Sequence, residues 1–251
     1  MKIKDLHSLG RPPHIVIYGA AGTGKTALAA QARNAYCMDF DAGLMTAVNL
    51  KDKFYNLRQN LEFDTYQDND VMNPSAWIRA KTKVLEIQNQ VFKKEWPYEA
   101  LIVDSLSGLS RTVQTQIMKA CGRPMQKPQL QDYGLMFSEI ENILQVITTL
   151  PILVIICTHE YSLNVGDETY IKPRAIGRKL PAGIAPLFDE VWWSEIRRRG
   201  IRDVDYLISW KPTKYRETRT RSGHLVELKH NEVGLEGVLA EIGYKYPTNS
   251  H

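Results

Sequence analysis

The 251-residue sequence has no apolar run approaching the ~20 residues that a helix needs to cross a bilayer, so a helical membrane protein is not expected. Cysteine is scarce. The three present, Cys37, Cys121 and Cys157, are odd in number and far apart, which argues against a disulfide framework and a zinc site. Cys37 and Cys157 sit in apolar runs where small buried thiols are common. Internal repeats and low-complexity segments are lacking. The basic start Met1-Lys2-Ile3-Lys4 is followed by His7, Gly10 and Pro12-Pro13 instead of a continuous apolar stretch, so no secretory signal is read and a cytoplasmic protein with no membrane partner is expected. Apolar content of 43% and charged content of 24% are ordinary for a globular chain long enough to bury its core without staples.

A strong charge of one sign is also missing overall, since the formal net charge is +4, but the charge is unevenly placed. Lys172 to Arg221 holds thirteen Lys/Arg against six Asp/Glu, which leaves the rest of the chain net negative. Such a block is either a solvated surface or the footprint of a polyanionic partner.

Residues Gly19 to Thr26, GAAGTGKT, match the phosphate-binding pattern G-x-x-x-x-G-K-[ST] completely. A chance match in a chain of this length has a probability on the order of 1%. The setting agrees. His14 to Tyr18 is a short apolar, β-branched run expected to be a buried strand, and Ala27 to Ala32 is made of strong helix formers. Glycines at 19, 22 and 24 let the backbone turn its amides inward, where Gly19, Ala20, Ala21, Gly22, Thr23, Gly24, Lys25, Thr26 and Ala27 would cradle a nucleotide triphosphate. The helix start adds partial positive charge, Lys25 reaches the β- and γ-phosphates, and Thr26 offers a hydroxyl to magnesium.

Further along, Tyr36 to Gly43 predicts a short strand delivering Asp39 and Asp41 and turning at a glycine. In an extended strand the two carboxylates share a face; alternatively they only close the strand in an Asx turn. Asn60 to Tyr66 reads as the extended piece before Asn73 and Pro74, read as N-cap and first residue of a helix to about Lys94. Its core face is Trp77, Val84, Leu85, Ile87 and Val91. Ala100 to Ser105 is an apolar strand ending in Asp104, the arrangement that holds magnesium in a P-loop protein. Gly122, Pro124 and Pro128 within Arg111 to Leu130 argue against helix beyond Ala120 and predict a surface loop. Helical spacing resumes over 132–150 with Leu135, Phe137, Ile140, Ile143, Leu144 and Ile147. A third apolar strand, Ile152 to Cys157, ends in Thr158-His159-Glu160, and Asn164 to Asp167 predicts a hairpin turn. Glu190 to Ile196 and Val204 to Trp210 alternate like antiparallel strands joined by the basic turn Arg197 to Gly200, and a short helix is expected around Leu235 to Ile242.

GAAGTGKT, DFDAG, LIVDSLSGL, LVIICTHE, then a basic loop and hairpin, resemble in order the RecA-like recombinase core over about 13–221, with 222–251 as a C-terminal extension of a single ATPase domain. The short length, the Asp132-Tyr133-Gly134 element and the Thr-His-Glu strand end are similar to the core-only RecA-like ATPases of bacteriophages, including single-strand annealing proteins. The resemblance implies an α/β, three-layer α/β/α P-loop NTPase with a mostly parallel sheet extended by antiparallel strands. It implies ATP and Mg2+ as cofactors, Lys25 on the phosphates, Thr26 and Asp104 on magnesium, Asp41 in place of the family's catalytic glutamate, and His159 as γ-phosphate sensor. It places DNA-binding loops at 111–131 and 160–179, with Lys172, Arg174, Arg178 and Lys179 on DNA, and Arg219 and Arg221 reaching a neighbouring subunit's nucleotide. Single-stranded DNA, a homo-oligomeric ring or filament and a single-strand DNA-binding protein are the implied partners, in a bacterial cytoplasm.

Two departures matter: Asp41 is one methylene shorter than glutamate, and His159 replaces an amide. Asp104 is followed by Ser105 and not by the glutamate of ring-forming AAA+ ATPases. A replication-accessory ATPase acting on protein or duplex, or a regulatory nucleotide switch, is the competing expectation.

Overall fold

The computed structural model describes residues 11–44, 61–175, 184–200, 204–222 and 226–246. The elements are β1 (His14–Gly19), α1 (Lys25–Ala29), β2 (Ala35–Asp39), β3 (Glu62–Thr65), α2 (Ala76–Lys93), β4 (Ala100–Asp104), α3 (Leu106–Ala120) and α4 (Leu130–Ile147). They continue with β5 (Leu153–Val165), β6 (Glu168–Pro173), a 3-10 turn at Ala185–Leu187, β7 (Glu190–Arg198), β8 (Val204–Ser209), β9 (Glu227–Lys229) and α5 (His230–Glu241). Eight strands lie in the order β3-β2-β4-β5-β1-β7-β8-β9, and off this path β6 pairs with β5 and, through Ile171, bridges to Arg216. From β3 to β7 the neighbours are parallel; β7-β8, β8-β9 and β5-β6 are antiparallel.

Parallel strands buried on both faces must be apolar at every position, which explains why β1, β4 and the start of β5 look like continuous apolar runs. Alternation then sorts their side chains between two cores. Val16, Tyr18, Leu101, Val103, Val154 and Ile156 face α2, α3 and α4, while Ile15, Ile17, Ile102, Ile155 and Cys157 face α1 and α5. The result is a three-layer α/β/α P-loop NTPase fold with an antiparallel extension.

The parallel register also places the site. Asp39 lies opposite Asp104, Asp104 opposite Cys157, and Gly19 opposite His159, so the ends of β1, β2 and β4 meet beside the middle of β5, which runs on to Val165 instead of ending at the expected Thr158-His159-Glu160. Strand C-termini are where open α/β sheets bind ligands.

Several local expectations are corrected. Helix α2 starts at Ala76, not Pro74, because Asp68 Oδ1 accepts from the amides of Ser75 and Ala76 at 2.6 and 2.7 Å, while Asn73 turns its amide to Asp70. Leu85 and Leu135, expected on core faces, are exposed. Helix α3 runs to Ala120, the limit that Gly122, Pro124 and Pro128 set, so the loop that the resemblance placed at 111–131 is confined to 121–129. Asp132 does not begin α4 but caps it, accepting from the Gln129 amide at 2.6 Å and from Arg123. Arg197 and Arg198 belong to β7 and not to the turn after it. The C-terminal helix starts earlier than 235, at His230, and breaks at Gly234, whose φ of 67° is easily adopted only without a side chain.

The C-terminal segment contributes to the second core through Leu235, Val238 and Leu239, all essentially buried beside Leu28 and Ile17. We expect Leu235→Ala to destabilise the protein by about 2–5 kcal/mol, measured by denaturant unfolding. A loss below about 0.5 kcal/mol would show that this helix is only a surface attachment.

Candidate functional site

The phosphate loop is fixed by backbone demands. Gly22 and Gly24 have φ of 79° and 84°, the left-handed region. A Cβ on Gly19 would stand 2.1 Å from the Ser194 carbonyl oxygen, since β7 runs alongside. Thr23 Oγ1 donates to the Ala20 carbonyl at 3.0 Å, and Ser194 Oγ donates to the Thr23 carbonyl at 2.9 Å. Lys25 Nζ donates to the carbonyls of Ala20 and Gly19 at 2.6 and 3.0 Å and to Thr23 Oγ1 at 3.4 Å. Burial holds the Lys25 ammonium below the ordinary lysine pKa, so an anionic ligand would restore what desolvation costs it.

Thr26 Oγ1 donates to Asp104 Oδ2 at 2.6 Å. Asp104 is only 4% exposed, and burial pushes its pKa up to about 6; Thr26 opposes the shift, Asp39 and Asp41 add to it, and Lys25 opposes it. A buried carboxylate beside two others, with a hydroxyl in contact, is a hard-oxygen set short of positive charge, which fits a magnesium ion held by Thr26 and Asp104. Gly43 keeps this spot open, because a Cβ there would lie 3.3 Å from Asp104 Oδ2 and 3.7 Å from Thr26 Oγ1. Its part in the site was hidden in the sequence, where it looks like an ordinary turn glycine.

Strand β2 ends at Asp39, so Asp39 and Asp41 do not share the face of one strand. Asp39 Oδ1 accepts from the amides of Asp41 and Gly43 at 3.0 and 3.2 Å. Asp39 therefore forms the Asx turn, and that turn presents Asp41. Asp41 takes the Ser105 hydroxyl on Oδ2 and the Arg111 guanidinium on Oδ1. Gly108 makes room, since its Cβ would come within 2.7 Å of Asp41 Oδ1 and of Phe40 Cβ.

The small residues after Asp104 have separate tasks. Ser105 Oγ accepts from the Gly108 amide at 3.1 Å and so caps α3. Ser107 Oγ accepts from the His159 amide at 3.2 Å and lies 3.0 Å from Thr158 Oγ1, which donates to the Arg174 carbonyl at 2.6 Å. His159 is thus tied to α3. Partial burial, then Lys25, lowers its pKa; Asp41 opposes, and Arg174 and Arg111 lower it further. Near neutral pH the ring is an uncharged imidazole with one N–H to donate.

The cations fall into two places. Arg174, expected on DNA, pairs its amide with the His159 carbonyl at 2.7 Å and so has its backbone beside His159; Lys172 forms an ion pair with Glu217 at 3.7 Å. Arg178 and Lys179 lie outside the described residues. Arg219 donates to the Ala185 carbonyl at 3.3 Å, and Arg221 to Asp189 at 2.5 Å, whose carboxylate also accepts the His14 amide. These contacts lie at the His14 end of β1, not at the Gly19 end, so neither arginine joins its own subunit's site.

The raised pKa of Asp104 sets a pH dependence. A carboxyl whose folded pKa exceeds its unfolded value near 3.8 favours folding while protonated, and that contribution disappears as pH rises through about 6. With magnesium and nucleotide left out, Asp104→Asn is expected to be more stable than the unaltered protein at pH 7.5 by up to about 3 kcal/mol, with the gap closing by pH 4. Thermal unfolding across that range checks it, and parallel curves would refute it.

The family model described as AAA domain matches residues 11–222. No curated protein matches the sequence. Among solved structures, the KaiC-like protein PH0186 from the hyperthermophilic archaeon Pyrococcus horikoshii OT3 is 12% identical with a TM-score of 0.46, covering 86% of this chain and 84% of that one. A prototypical ATPase from the type III secretion system of pathogenic bacteria is 14% identical with a TM-score of 0.45, covering 73% of this chain and 52% of its own. The family match spans most of the sequence, from just before the phosphate strand to just past Arg221, and on that extent the chain belongs to the AAA-domain family.

Proposed function

We propose that this protein is a magnesium-dependent ATPase that assembles as a ring or filament on single-stranded DNA and promotes strand annealing or exchange of the phage recombination type. One observation carries the DNA reading. Strand β5 is continuous from the buried sheet through His159 into the hairpin with β6, where Tyr161 lies opposite Lys172 and Leu163 opposite Tyr170. These four share one ribbon face, and Tyr215, with Lys214 over its ring, packs against Tyr170 at 6.1 Å between centroids. Aromatic rings interleaved with cations suit a single strand, whose bases stack without being read. The same strand that would sense the γ-phosphate therefore carries the DNA face.

In this reading Lys25 leaves the loop carbonyls for the phosphates. Bound magnesium supplies charge neutralisation of the phosphates, with Thr26 and Asp104 as its holders. Asp41 orients the attacking water and accepts its proton, and neutral His159 donates its N–H to a γ-phosphate oxygen. Arg219 and Arg221 act on a neighbouring subunit's nucleotide. The competing reading as a slow regulatory switch draws support from the two partners already held by Asp41.

Two variants separate binding from turnover. Lys25→Ala is expected to abolish tight ATP binding, whereas Asp41→Asn should lower kcat by ~100-fold while changing nucleotide affinity little. Equal turnover in Asp41→Asn would reduce Asp41 to a turn residue.

Salt dependence tests the DNA partner. Of the ten described cations between Lys172 and Arg221, five form ion pairs with carboxylates within the chain, and Arg174, Arg198, Lys211, Arg216 and Arg219 have none among the described residues. If the four of these other than Arg219 engage phosphates, affinity for oligothymidylate should fall with a log-log salt slope of about −2.8. A slope near zero, or no binding at low salt, would sink the DNA reading.

A further inference from the structure

Arg111 has no role in the reading above, yet its guanidinium sits on the carboxylate that would handle the water. Both Asp41 oxygens are taken, and the two partners differ in how easily they can leave. Ser105 is fixed: its hydroxyl also accepts the Gly108 amide and caps α3, so turning it away would uncap the helix. Gly108 closes in behind the carboxylate. Arg111 is 68% exposed, standing on the second turn of α3 at the mouth of the site. An exposed ion pair is weak and screened by salt, so a group of higher charge can displace it. Phosphate is the natural competitor, because a guanidinium binds its oxygens in two parallel hydrogen bonds. A second exposed arginine, Arg174, is held beside His159 by its backbone, and its charge and that of Arg111 are both felt at the imidazole. Two exposed arginines therefore lie near enough to His159 for their charges to act on it.

We propose that Arg111 is the positioning residue for Asp41, holding its carboxylate away from water at rest and releasing it when a phosphate of bound single-stranded DNA draws the guanidinium off. This rests on Asp41 as the group acting on water and on DNA as the polyanion. DNA stimulation of hydrolysis then needs no movement of the sheet, only exchange of one ion pair for another.

The test uses the full-length protein with Mg-ATP, with and without oligothymidylate, and the variants Arg111→Gln and Arg111→Lys. Arg111→Gln is expected to raise the resting kcat about fivefold with little change in KM, and to lose most of the further stimulation by oligothymidylate. Arg111→Lys should retain a low resting rate. In the unaltered protein, raising salt should raise the resting rate, a readout that needs no variant and that a purely structural arginine would not give. A folded Arg111→Gln protein with an unchanged or lower resting rate would overturn the proposal, as would a resting rate of the unaltered protein that does not rise with salt. Oligothymidylate binding is followed separately by fluorescence anisotropy. If the unaltered protein binds none, the DNA reading and the release step fall together, while a faster resting rate in Arg111→Gln would still support the hold on Asp41.

Discussion

The hydrogen bond from Thr26 to Asp104 joins two elements that are not neighbours in the sheet. β4 and β1 are separated by β5, so the contact depends on α1 crossing above β5 and on β4 ending in register with both. An ionisable carboxylate kept this dry is costly, and the cost falls on the fold until a cation arrives. The neighbouring features serve the same small volume: Gly43 leaves it open, Asp39 shapes the turn beside it, and Asp41 stands at its margin.

A second constraint comes from the far end of the chain. The Thr23 carbonyl of the phosphate loop accepts Ser194 Oγ from β7 and, at 3.3 Å, His230 Nε2 from α5. Burial lowers the His230 pKa to about 4, so at neutral pH the ring is uncharged and can serve as a plain donor. Gln31 accepts the Leu235 amide at 3.0 Å, which fastens α5 to the turn after α1. The loop that must hold phosphate rigidly is thus braced from two later elements, and its geometry does not rest on the glycines alone.

The basic region is less cationic in three dimensions than along the chain. Arg197 pairs with Glu195 and Glu227, Arg199 with Asp205, Lys214 with Glu168, and Arg216 stacks on Trp193 at 3.4 Å from the ring centroid. Much of the excess charge therefore stabilises the antiparallel extension locally, where exposed pairs contribute little each. Of the described cations without an ion pair, Arg174 lies beside His159 and Arg216 bridges to Ile171 of β6.

By itself the sequence determined the phosphate loop, the three apolar runs that become β1, β4 and the start of β5, and the antiparallel strands beyond them. Each is a local pattern: glycine spacing set by backbone turning, and unbroken apolar runs set by burial on two faces. It left open whether Asp39 and Asp41 act together or only close a turn, and it did not mark Gly43, Gly108 or Ser107, whose importance lies in what stands opposite them. Arg111 fell at the start of the loop that the resemblance placed over 111–131, although Gly122, Pro124 and Pro128 argue against helix only beyond Ala120. Only the tertiary structure decided that α3 carries Arg111 back onto Asp41, 70 positions earlier in the chain, and that Arg219 and Arg221 lie at the other end of β1 from the phosphate loop. Strand order and helix crossing bring such residues together, and neither is written in the spacing of residues close in sequence.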